Sequence, residues 1–168
     1  MKPVLKTILI SFIFSVAGMC WFLFVFFKLH GDVRWSWLGV LMGYLSVFTL
    51  IKLYCKNTYH TILTKVLMKV VVISFSFVVL GISVGLLYEV IGTWNVSFMA
   101  NYWFVVLILY ITNIISLVLL VIVYRNTQQY TMLYRILMLL TILLTVMPVF
   151  YPLSITFLAN GMNASAGW

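Results

Sequence analysis

Five long apolar segments, separated by short polar interruptions, constrain this chain more than anything else in it. A helix rises about 1.5 Å per residue, so ~20 consecutive apolar residues cross a ~30 Å hydrocarbon core. Residues 7–27, 36–54, 66–92, 102–124 and 132–158 all approach or exceed that length. A bilayer offers no water to unsatisfied backbone amides and carbonyls, so spanning segments of this kind must be helical. The expected fold is an all-α integral membrane protein, a five-transmembrane-helix bundle forming a single domain over residues 1–168. Composition agrees: 65% of residues are hydrophobic and only 7% charged, against roughly 25% charged in a soluble domain.

The first segment has a rival reading as a signal peptide, because Ser15-Val16-Ala17 has the small-x-small form of a cleavage site. The apolar run nevertheless continues through Trp21 to Phe27, longer than a signal core, and an uncleaved helix is expected.

The net charge of +8 comes from ten basic residues scattered at the ends of apolar segments. With no basic groove or recognition motif, that pattern argues for topology and against a nucleic-acid partner. Placing the amino terminus in the cytoplasm puts Lys2, Lys6, Lys52, Lys56, Lys65, Lys69, Arg125 and Arg135 inside and only Lys28 and Arg34 outside. The positive-inside rule thus favours a cytoplasmic amino terminus and an outside carboxyl terminus. A plasma or inner membrane is expected rather than an organellar one. Lys52, Lys56, Lys65 and Lys69 are expected to meet anionic lipid headgroups, each worth about 1 kcal/mol; an acidic partner is the alternative.

Packing is the next signal. Gly39 and Gly43 are four apart, as are Gly81 and Gly85, and Glu89 continues the second series on the same helical face. Small residues at this spacing let backbones approach closely where packing replaces the hydrophobic effect. The Gly81-Gly85-Glu89 face should therefore meet protein rather than lipid.

Glu89 is one of two acidic residues in the chain. An intramembrane carboxylate is costly and serves by default as a functional hypothesis, here a proton or cation site. Its other reading is an ionic latch, with Glu89 near the outer surface paired to Lys28 or Arg34, close to Asp32. Asn113, near the middle of the fourth segment, should make an interhelical polar contact worth about 1 kcal/mol or less. Pro148 and Pro152 should kink the fifth segment, with Thr141 and Thr145 placed to offset the carbonyls they free. His30 and His60 fall on opposite sides, and Cys20 and Cys55 lie in opposite halves of the membrane. No catalytic set, metal site or cofactor site is expected from these positions.

The bilayer is the first partner, followed by other membrane protein subunits or further copies of this chain. A small membrane subunit or accessory protein that assembles through small-residue faces is the leading functional expectation. A small transporter using Glu89 is the alternative, and an immunity or exclusion protein acting in the membrane is a third.

Overall fold

In the computed structural model, residues 2–55, 61–92, 95–123 and 132–166 are described, and they form five helices. These are α1 (Lys2–Lys28), α2 (Val33–Cys55), α3 (Ile62–Ile91), α4 (Val96–Val123) and α5 (Met132–Ser165). No strand occurs among the described residues. Each helix is long and apolar enough to cross a membrane. Lys56 and His60, residues 124–131 with Arg125, and Trp94 lie outside the described residues.

Caps explain several boundaries. Asp32 starts α2: its side chain accepts the Arg34 amide at 2.9 Å and its carbonyl accepts the Ser36 amide at 3.3 Å. An N-cap is the commonest use of an aspartate at this position. Just before it, the chain leaves α1 through two left-handed residues, His30 at φ 52° and Gly31 at φ 71°, with the Gly31 amide returning to the Val25 carbonyl. Thr61 caps α3 through its side chain, and left-handed Gly92 closes it. Asn95 starts α4, accepting the Ser97 amide on its side chain and the Met99 amide on its carbonyl.

The helices are not equivalent. α5 packs on α1, α2 and α4, whereas α3 is held by α4 and scarcely touches α2. Two apolar clusters fill the interior. One lies towards the Lys52 end of the bundle and includes Ile8, Leu50, Val71, Leu120 and Met138. The other lies towards the Glu89 end and includes Val40, Ile82, Trp103, Val106 and Leu153. Several hydroxyls and an amide buried among them are bonded across helix contacts. Ser11 and Ser46 donate to each other's carbonyls at 2.8 Å, tying α1 to α2. Asn113 Nδ2 donates to the Val71 carbonyl at 2.9 Å and to Ser74 Oγ at 3.0 Å, tying α4 to α3.

The glycines are spent inside the chain. A Cβ on Gly39 would meet Pro148 at 3.5 Å and the Gly18 carbonyl at 3.6 Å, so this position serves the junction of α1, α2 and α5. One on Gly43 would lie 2.8 Å from Val149 on α5. On α3, Gly81 admits Val106 and Gly85 admits the indole of Trp103, both from α4. The outward face of α3 carries Ile73, Phe77, Leu80, Val84, Leu87 and Ile91 instead, all exposed.

α5 passes through Pro148 and Pro152 as one helix. The prolines lack the amides that would serve the carbonyls of Leu144 and Pro148. Thr141 and Thr145 do not compensate: they bond the carbonyls of Leu137 and Ile142, neither of which is a freed position. Tyr110 of α4 supplies a hydroxyl nearby instead, 3.4 Å from the carbonyls of both Thr145 and Val146. α5 also continues seven residues past the expected end at 158, because nothing stronger than Gly161 interrupts it.

Candidate ligand site at the Glu89 end of the bundle

Glu89 occupies the last turn of α3 and is exposed along one edge. Its Oε1 accepts the indole N–H of Trp103 at 2.9 Å and the amide N–H of Asn160 at 3.1 Å. Trp103 itself is fully buried. It is stacked obliquely on Trp37 with ring centroids 5.7 Å apart, and Tyr102 meets it edge-on at 5.9 Å. Asn160 is anchored by a second bond to the Thr156 carbonyl at 2.9 Å. Two fixed neutral donors therefore orient one carboxylate oxygen without neutralising a charge.

The ionic latch takes a different form from the expected one. Among the described residues the ion pair within 4.0 Å joins Arg34 Nε to Asp32 Oδ1 at 3.5 Å, not Arg34 to Glu89. Asp32 is committed to the start of α2, and Arg34, two residues on, lies within its reach. Lys28 ends α1, where it is exposed and suits the helix dipole.

Arg34 and Glu89 nonetheless face one cavity of about 520 Å³, with Trp37, Tyr88, Met99 and Asn160 also lining it. The residues come from the start of α2, the end of α3, the start of α4 and the end of α5. This is the one place among the described cavities where a guanidinium and a carboxylate line the same space. Below it, Trp37 also lines a narrower apolar slot of about 210 Å³ between α2 and α3, with Val40, Leu41, Tyr44, Ile82 and Ser83. At the opposite end of the bundle Lys52 lines a third cavity with Thr7 and Thr49. Lys65 and Lys69 are exposed on the first turns of α3, and Cys20 and Cys55 are free thiols. No group of three or more metal-ligating side chains occurs among the described residues.

Three of these residues are not signalled as site residues by the sequence. Trp103 looks like an interfacial flank but lies in the core, and Asn160 falls beyond the expected end of the fifth span. Trp37 is turned inward to Trp103, whereas the nearby Trp35 is exposed. The packing of α4 on α3 brings Trp103 alongside Gly85 and the end of α3, a register that helical periodicity alone does not give.

Fold and site together define a multi-pass α-helical membrane protein, with five helices suited to spanning and a charged cavity at one end. The chain belongs to the family described as Protein of unknown function (DUF3902), whose model matches residues 2–167. No curated protein and no solved structure matches it.

Proposed function

We propose that this chain is a small accessory protein of a plasma or inner membrane that works by binding a charged ligand in the Glu89 cavity. The supporting observation is that Arg34 and Glu89 line the same space without pairing with each other. Charges of opposite sign held apart in this way match a ligand that carries both. The orientation assigned by the basic residues puts this end outside and the amino terminus in the cytoplasm; reporter fusions at the two termini test it, and equal cytoplasmic readout from both would refute it.

Ion translocation is less well supported. The buried Trp103, Met99 and Val106 pack against Val40, Ile82 and Leu153, filling the interior next to the cavity. Native mass spectrometry of protein released from its own membranes tests the binding reading. A bound species that is lost in Glu89→Gln is expected, while Glu89-dependent proton or cation flux in liposomes would replace binding by transport.

A second reading is assembly with another membrane helix, and its support is the placement of α3. This helix is held on one side by α4, leaving a stripe from Ile73 to Ile91 at three- and four-residue spacing on its outward face. The glycine faces do not carry that role, being occupied within the chain. Purification in mild detergent solely as a monomer, with no companion membrane protein, would remove this reading.

A further inference from the structure

We infer that the ligand is an aminophospholipid, phosphatidylethanolamine in its simplest form, with its headgroup in the Glu89 cavity and an acyl chain in the slot between α2 and α3. The inference rests on the binding reading above and names its ligand. Three observations carry it.

The first is charge. Arg34 meets Asp32 through Nε at 3.5 Å, its side chain is 91% exposed, and it lines the cavity. A guanidinium recognises phosphate through paired donors. Glu89 uses Oε1 for both Trp103 and Asn160, which leaves Oε2 for an incoming donor. A primary ammonium supplies that N–H, whereas a quaternary choline carries none. A phosphate joined by a short linker to an ammonium therefore fits the pair, and a headgroup with only one of the two charges does not.

The second is continuity. Trp37 lines both spaces, so the polar cavity passes directly into the apolar slot. On α2 the slot runs from Trp37 to Tyr44, and on α3 from Leu86 up to Val79. Seven residues of helix correspond to roughly 10 Å of depth. A free, water-soluble zwitterion would have no use for that extension, but the upper part of an acyl chain fills it.

The third is the opening itself. α2 and α3 are neighbours that scarcely touch, while every other neighbouring pair in the bundle is well packed. A gap between two spanning helices is costly unless something fills it. Tyr44 lines this gap from α2, opposite Ile82 and Ser83 of α3. Lipid is the one apolar molecule present at high concentration on that side of both helices.

The test uses the full-length protein in nanodiscs and native mass spectrometry to read the lipids it retains. Phosphatidylethanolamine should be retained about tenfold over phosphatidylcholine and phosphatidylglycerol, as expected for one lost charge-assisted hydrogen bond. Glu89→Gln should abolish that preference, since its Oε1 still serves Trp103 and Asn160 and the fold is spared. Arg34→Ala should weaken retention of all phospholipids. Ser83→Phe, at an exposed position of the slot, should weaken phosphatidylethanolamine but leave binding of soluble glycerophosphoethanolamine unchanged. Glycerophosphoethanolamine binding as tight as the lipid, insensitive to Ser83→Phe, would overturn the lipid inference and preserve the binding reading. Equal retention of all lipids, unaffected by Glu89→Gln, with no other bound species, would overturn both.

Discussion

Replacing Gly85 by alanine separates a true close-packing seam from an incidental glycine. A Cβ at this position would stand 2.7 Å and 2.8 Å from Trp103 Cζ2 and Cη2, and 3.0 Å from Tyr102 Cε1. Carbon atoms prefer about 3.5–4.0 Å, so the indole would have to retreat by roughly 1 Å. It has little room to do so, being fully buried between Trp37 and Tyr102. Overpacking of this kind costs about 1–3 kcal/mol, and the upper half applies where the obstacle is rigid. Alanine recovers up to about 1 kcal/mol of helix propensity, which leaves a net loss of about 1–2 kcal/mol. Thermal unfolding in detergent should then fall by several degrees, at about 2–4 °C per kcal/mol for a chain of this size. Gly161→Ala is the control, because a Cβ there meets nothing within 4 Å. A double-mutant cycle with Trp103→Phe should show positive coupling, since the smaller ring removes the colliding atoms. If Gly85→Ala unfolds with wild-type stability and shows no coupling to Trp103, the seam has been misassigned and the orientation of Glu89 loses its support.

Other outcomes follow from individual contacts. Glu89→Leu should cost about 1–3 kcal/mol by leaving the Trp103 and Asn160 donors unmatched, whereas Glu89→Gln should stay within about 0.5 kcal/mol of wild type; denaturation in detergent distinguishes them, and equal losses would refute the assigned hydrogen bonds. Asn113→Leu should lose about 0.6–1 kcal/mol, the scale of interhelical hydrogen bonds in membranes, and a neutral result would show that Ser74 and Val71 do not depend on it. Gly31→Ala should lose more than Tyr151→Phe. The alanine meets both a left-handed backbone and the Tyr151 hydroxyl, whereas the phenylalanine removes only the 2.8 Å bond to the Gly31 carbonyl, worth about 1 kcal/mol. The order of their unfolding midpoints checks this.

Spanning helices were legible because bilayer thickness sets a length that 20 or more apolar residues announce directly. The Gly81-Gly85 face was legible as a packing surface too, since helical periodicity alone aligns the two positions. What packs there was not, because periodicity within α3 carries no information about α4 until the hairpin register is known. Glu89 shows the same limit from the chemical side. Sequence reasoning offered it the nearest cations at the same end, Lys28 and Arg34, but Asp32 had already taken Arg34 by proximity in the chain. Its actual partners are an indole from the core and an amide five residues before the end of α5 at Ser165, and both depend on where α4 and α5 pack. Pro148 and Pro152 draw attention to their own helix, while a hydroxyl that reaches the carbonyls of Thr145 and Val146 beside them belongs to Tyr110 on another.

The central position of α5 has a consequence for how the protein is made. Helices emerge from the ribosome in chain order, yet α1, α2 and α4 all rest on α5, which is synthesised after each of them. The α1–α2 hairpin, tied by Ser11 and Ser46, must therefore wait in the bilayer with its α5-facing sides uncovered, including Gly43 and the groove that receives Val149. Assembly is completed by the carboxyl-terminal helix acting as a keystone, and a ribosome that stalls before Met132 leaves behind a set of helices with no common neighbour to hold them.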